Sequence, residues 1–179
     1  MKRLDSIDLE MRLHVDVSGP RWHSDNVMYS GHYVFSIKSY RSGPSRQLGF
    51  QSNSSMGEVV EVERRYSDFD LFRMGLNCEY PGFFIPMLPP KETFMAFKQE
   101  DSDSILQRKQ GIQQFLIELA DHPQLSSEEN VSFTNFITVR SEHQFNEFKS
   151  QMAKMVDSFS FINDYARKHQ LSGSSKYIS

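Results

Sequence analysis

The sequence predicts an α+β fold: a three-stranded antiparallel sheet, then a helical subdomain with a proline-rich loop, then a C-terminal helix. Three observations lead there. Apolar and polar residues alternate in three early stretches, helical spacing takes over near Ser67, and four prolines fall within residues 81–90, between two helical stretches.

Met11, Leu13, Val15 and Val17 alternate with Arg12, His14 and Asp16, the period of a half-buried strand, and the pattern is expected to stop at Gly19-Pro20. Tyr33, Phe35 and Ile37 mark a second strand. The polar Gly/Ser-rich stretch 42–57 reads as a loose connection, after which Val60 and Val62 mark a third strand ending at Arg65-Tyr66. Ser67 with Asp70 makes a capping-box-like helix start, and Phe69, Phe72 and Leu76 recur on one face. The prolines of PGFFIPMLPPKE forbid helix and leave an extended loop. Further helices are expected from about Ser104 to His122 and from Ser126, where Glu129 follows at the capping-box spacing and Phe133, Phe136 and Ile137 face inward. Cys78, in the first helix, reads as a core residue.

Over 141–169, Phe145, Phe148, Met152, Met155, Phe159, Ile162 and Ala166 recur at alternating intervals of three and four. Two readings stand: a long helix laid back on the domain, or a seam over 145–166 that takes a second copy or another protein. Residues 170–179 read as a flexible tail.

With 179 residues, 38% of them hydrophobic and 15 of them Phe, the chain has material for one packed domain and an appended element. A net charge of −3 argues against wholesale attraction to nucleic acid, so any anion site must be local. The single cysteine excludes an intrachain disulfide and fits a reduced, cytoplasmic setting. MKRLDSIDLEMR carries acids and no apolar run, which is unlike a secretory signal, and no later stretch is long enough to cross a bilayer. No G-x-S-x-G, phosphate-cradling Gly-rich loop or H-E-x-x-H occurs, and His14, His23, His32, His122, His143 and His169 lack ligand spacing. We therefore expect no enzyme, no metal and no cofactor.

The stretch ERRYSDFDLF places two arginines and a tyrosine where a strand meets a helix. Arg64 and Arg65 project to opposite strand faces, so only one of them belongs to a given pocket, and Arg64 is left out. Arg108 stands three after Ile105 and four before Ile112, in the apolar stripe of its helix. It either snorkels outward, pairs with Asp68 or Asp70, or meets a ligand anion. Lys91 closes PMLPPK, whose fixed φ angles hold an ammonium in place at little ordering cost. The same P-x-x-P spacing also suits docking to an aromatic-lined groove.

The runs RRYSDF, PMLPPK and RKQGIQQFL, in this order and separation over about 8–139, resemble the phox-homology (PX) domain, in wording close to the sorting nexins. That resemblance implies a module that binds phosphoinositides, most often phosphatidylinositol 3-phosphate, peripherally on endosomal membranes, for trafficking and sorting. It assigns Arg65 to the 3-phosphate with Ser67 assisting, Tyr66 to the inositol ring, Lys91 to the 1-phosphate and Arg108 to the 4- and 5-hydroxyls. It also makes Phe94, Met95 and Phe97 the loop that dips into the bilayer, although Glu92, Glu100, Asp101 and Asp103 repel anionic lipid and a short helix packing the three on the core is the other reading. The rival from another class is a protein-interaction scaffold that uses PMLPPK or the terminal helix and keeps a vestigial pocket.

Overall fold

A computed structural model describes residues 12–24, 31–42, 57–90 and 102–173. Strands β1 (Arg12–Ser24), β2 (Gly31–Ser42) and β3 (Val60–Arg65) form one antiparallel sheet in the order β1-β2-β3. Helices α1 (Tyr66–Glu79), α2 (Ser102–Asp121), α3 (Val131–Thr138) and α4 (Glu142–Gly173) follow. The α+β class and the strands-then-helices order are as expected.

Val17, Ile37 and Val62 lie opposite one another across the three strands and are buried together. On that face α1 lays Phe69, Phe72 and Leu76, α2 lays Ile112, Phe115, Leu116 and Leu119, and α3 lays Phe133, Phe136 and Ile137. Phe72 and Phe136 stack with ring centroids 4.1 Å apart and planes 7° from parallel. The period-3.6 and period-2 patterns thus meet in one aromatic core. Gln113 of α2 accepts the Val17 N–H at 2.5 Å and donates to the Val15 carbonyl at 3.1 Å. It thereby occupies polar groups on the outer edge of β1 and holds α2 beside the sheet.

Five element boundaries differ from expectation. β1 does not stop at Gly19-Pro20: pairing passes from Ser18↔Ser36 to Arg21↔Val34, three residues of β1 against two of β2, so one extra residue bulges out and the strand resumes to Ser24. Gly19 takes φ +91, a conformation that a side chain would strain, and the Gly19-Pro20 peptide is cis. α1 begins at Tyr66, because Asp68, not Asp70, caps it by accepting the Arg65 N–H at 3.0 Å. α3 begins at Val131, because Asn130 accepts the Phe133 N–H at 2.9 Å and donates to the Leu125 carbonyl, turning 126–130 into a bend. α2 begins two residues before the expected start, and α4 extends to Gly173, into the expected tail. Cys78 is half-buried rather than core, and burial pushes its thiol pKa up, with Glu79 adding to the rise.

The 141–169 seam is divided. Phe145, Phe148, Met152 and Val156 are buried against the domain. Gly75 makes the approach of α4 to α1 possible, since a Cβ there would lie 2.6 Å from Met152 Cγ and Sδ. The buried stripe steps by three, four and four, which follows a straight helix on a globular surface rather than a coiled-coil register. Beyond it Phe161 and Ile162 are 72% and 61% exposed. Among the described residues no helix is long and apolar enough to cross a membrane.

Candidate functional site

The β3–α1 junction separates the two arginines. Arg64 lies opposite Phe35 and turns into the protein. Its Nε donates to the Phe136 carbonyl at 2.9 Å, one Nη to the Val139 carbonyl at 2.7 Å and the other to the Glu63 carbonyl at 2.8 Å. The guanidinium carbon lies 3.6 Å from the centroid of the Phe145 ring. Arg64 thus satisfies carbonyls at the C-terminal end of α3 and joins β3 to α4. Burial lowers its pKa to about 10 against a smaller opposing pull from Asp68, so it stays charged at neutral pH.

Arg65 turns the other way. Its side chain is 48% exposed, and its Nε stands 3.3 Å from Asp68 Oδ1. It lines a cleft of about 740 Å³ between the β3 edge and the start of α4, together with Arg21, His32, Asp68, Asn146 and Lys149. Tyr66, the first helical residue, presents its ring to Arg108, whose guanidinium carbon is 5.5 Å from the ring centroid. Burial, with help from Asp70, raises the Tyr66 phenol pKa, while Arg108 and Arg73 oppose the rise less strongly. The phenol therefore keeps its proton and donates it to the Pro89 carbonyl. Ser67 is exposed beside it. Lys91, Phe94, Met95 and Phe97 lie outside the described residues.

The proline-rich loop is held from several sides. Ile85 and Pro86 are buried, and the Pro86 carbonyl accepts from Arg73 Nε at 2.7 Å. A Cβ on Gly111 of α2 would stand 2.8 Å from Pro89 Cγ and 2.9 Å from its Cδ. Gly111 is therefore the gap into which the Pro89 ring fits, two residues before Lys91. A proline ring has no rotamer with which to yield. Gly111→Ala is expected to shift this loop and to weaken about tenfold the phosphoinositide binding that the family resemblance implies, although alanine is the better helix former by roughly 1 kcal/mol. Vesicle co-sedimentation beside a thermal melt checks this, and unchanged binding would detach the Gly111–Pro89 contact from the site.

Gly111 stands in the run RKQGIQQFL, where a glycine amid good helix formers is the signal that could have marked it. Asp68 is legible in the sequence only as a partner for Arg108. Lys149 escapes motif reasoning, although its place four after Phe145 puts it on the buried face of α4.

A family profile for the PX domain matches residues 52–140. Sorting nexin-3 of Eremothecium gossypii is 32% identical over 125 residues, which cover 64% of this chain and 68% of that protein. The chain belongs to the PX-domain family. Sorting nexin-30 of Xenopus tropicalis is 33% identical over 164 residues, 88% of this chain, and the chain spans 33% of that relative's length. Among solved structures, a designed CISK-PX domain is 30% identical with a TM-score of 0.45, over 66% of this chain and 96% of its own. PX domains of the sorting nexins are phosphoinositide-binding membrane modules. Arg65, Tyr66 and Arg108 of this PX domain lie within the matched span, as does the inward Arg64.

Proposed function

We propose that this chain is a membrane-recruitment module that recognises phosphatidylinositol 3-phosphate on endosomal membranes, in trafficking and sorting. The observation that carries this is the Tyr66 ring with the Arg108 guanidinium over it, one residue from an outward Arg65, beside a loop fastened at Pro89 just short of Lys91. Arg65, with Ser67, takes the 3-phosphate, which a guanidinium meets through two parallel charge-assisted bonds. Tyr66 gives the inositol ring a flat face. Arg108 takes the 4- and 5-hydroxyls, Lys91 the 1-phosphate, and Phe94, Met95 and Phe97 add a shallow apolar anchor. The protein works in the cytoplasm, peripherally attached, and not as an enzyme. Further attachment, to a second copy or another protein, is confined to the outer part of α4 around Phe161 and Ile162, because the inner part of the seam is occupied by the domain itself.

Titration against vesicles that differ in one phosphate position tests the lipid, with tightest binding expected for the 3-phosphate. Arg108→Ala is expected to weaken that binding by at least about tenfold, at roughly 1.5–3 kcal/mol for hydrogen bonds to a charged group. A scaffold with a vestigial pocket predicts binding to partners that ignores the phosphate position and Arg108 alike.

A further inference from the structure

Lys149 lies on α4, beyond the span that matches the PX profile. Its Nζ is nevertheless 3.4 Å from Asp68 Oδ1, the same oxygen that faces Arg65 Nε at 3.3 Å. The Asp68 side chain is 8% exposed and that of Lys149 22%, and the other Asp68 oxygen accepts the Arg65 backbone N–H. One buried carboxylate is thus shared between an outward arginine and a lysine from an appended helix. Lys149 is well held: its Nζ lies 5.1 Å from the Phe145 ring centroid, and Phe145, Phe148 and Met152 bury its helix against the domain. Of the other arginines of the cleft, Arg21 pairs with Glu63 and Arg140 with Glu58, while Arg64, which Asp68 also attracts, directs its donors to backbone carbonyls.

We infer that Lys149 is a positioning residue for phosphoinositide binding, and that through Asp68 it makes headgroup affinity depend on the docking of α4. This rests on the proposed role of Arg65. An aspartate facing one guanidinium neutralises it, and an incoming phosphate has to compete with that carboxylate for the same N–H donors. With Lys149 in place the Arg65–Asp68–Lys149 group carries one net positive charge, and the carboxylate keeps a partner when Arg65 turns to the phosphate. Without Lys149 the group is neutral, and binding would leave a buried carboxylate with one cation fewer. Low exposure limits the screening of this charge by solvent.

The test is calorimetric titration of the full 179-residue chain with short-chain, water-soluble phosphatidylinositol 3-phosphate. Lys149→Met is expected to bind about 3- to 10-fold more weakly, the range for a partly screened charge. Lys149→Arg, which restores the charge, and Lys154→Met, which removes the same charge from the exposed face of α4, are each expected to stay within about twofold of wild type. Thermal melts confirm folding, and if Lys149→Met fails to fold, Lys149→Gln, which keeps more of the stem, carries the same expectation. Wild-type affinity in Lys149→Met, or an equal loss in Lys149→Arg or Lys154→Met, overturns the inference while leaving the pocket intact. A wild-type chain that ignores the headgroup, or binding indifferent to Arg65→Ala, sinks the pocket reading and this inference with it.

Discussion

Arg65→Ala is expected to lower affinity for vesicles containing phosphatidylinositol 3-phosphate about 100-fold, from loss of a paired, charge-assisted phosphate contact. The fold should survive, because what disappears from the protein is a half-exposed pair with Asp68, and Asp68 keeps Lys149 and the Arg65 backbone N–H. With its arginine half exposed and its buried carboxylate still partnered, the pair contributes about 1 kcal/mol, so the melting temperature should fall by no more than about 4 °C. Co-sedimentation and a melt on the same sample check both halves. A variant that binds as wild type removes Arg65 from the headgroup site. One that binds poorly because it has unfolded would move Arg65 into the frame-holding role that belongs to Arg64.

Arg64→Ala should give the opposite pattern. Three carbonyls, of Glu63, Phe136 and Val139, lose their guanidinium donor, and the Phe145 ring loses the cation stacked on it. Each buried acceptor left unmet costs about 1–3 kcal/mol, partly relieved where water enters, and truncation of the stem leaves a cavity besides. A total of about 3–5 kcal/mol is expected, large against the 5–15 kcal/mol of a typical domain. Arg64→Lys should recover little, since one ammonium does not reproduce a planar fork spread over three acceptors. Urea unfolding measures the loss, and a value under about 1 kcal/mol would show that these carbonyls find other partners. A binding assay on folded protein thus fails for the Arg65 variant and a melt for the Arg64 variant, which separates the residue that meets lipid from the one that holds the frame.

Legibility followed the range of the interactions concerned. The face of α1 was readable as Phe69, Phe72 and Leu76 because helical spacing and burial are one property seen twice. The start of α3 was not, because Ser126 and Asn130 are both competent caps and only the turn formed with Leu125 selects between them. The continuation of β1 past Gly19-Pro20 depended on β2 accepting a bulge, which is a property of the partner strand. In the site, motif spacing named Arg65, Tyr66 and Arg108, but not the carboxylate that joins Arg65 to α4.

The amino-acid sequence by itself determined the class of fold, the order of its elements and the opposite orientation of Arg64 and Arg65, because strand and helix periods are written in consecutive residues. Only the tertiary structure decided that the inner half of α4 belongs to the core, that Gly111 admits the Pro89 ring, and that Asp68 serves Lys149 as well as Arg65. Those contacts join parts of the chain far apart in sequence, selected by which surfaces close on one another, and no local pattern records that choice.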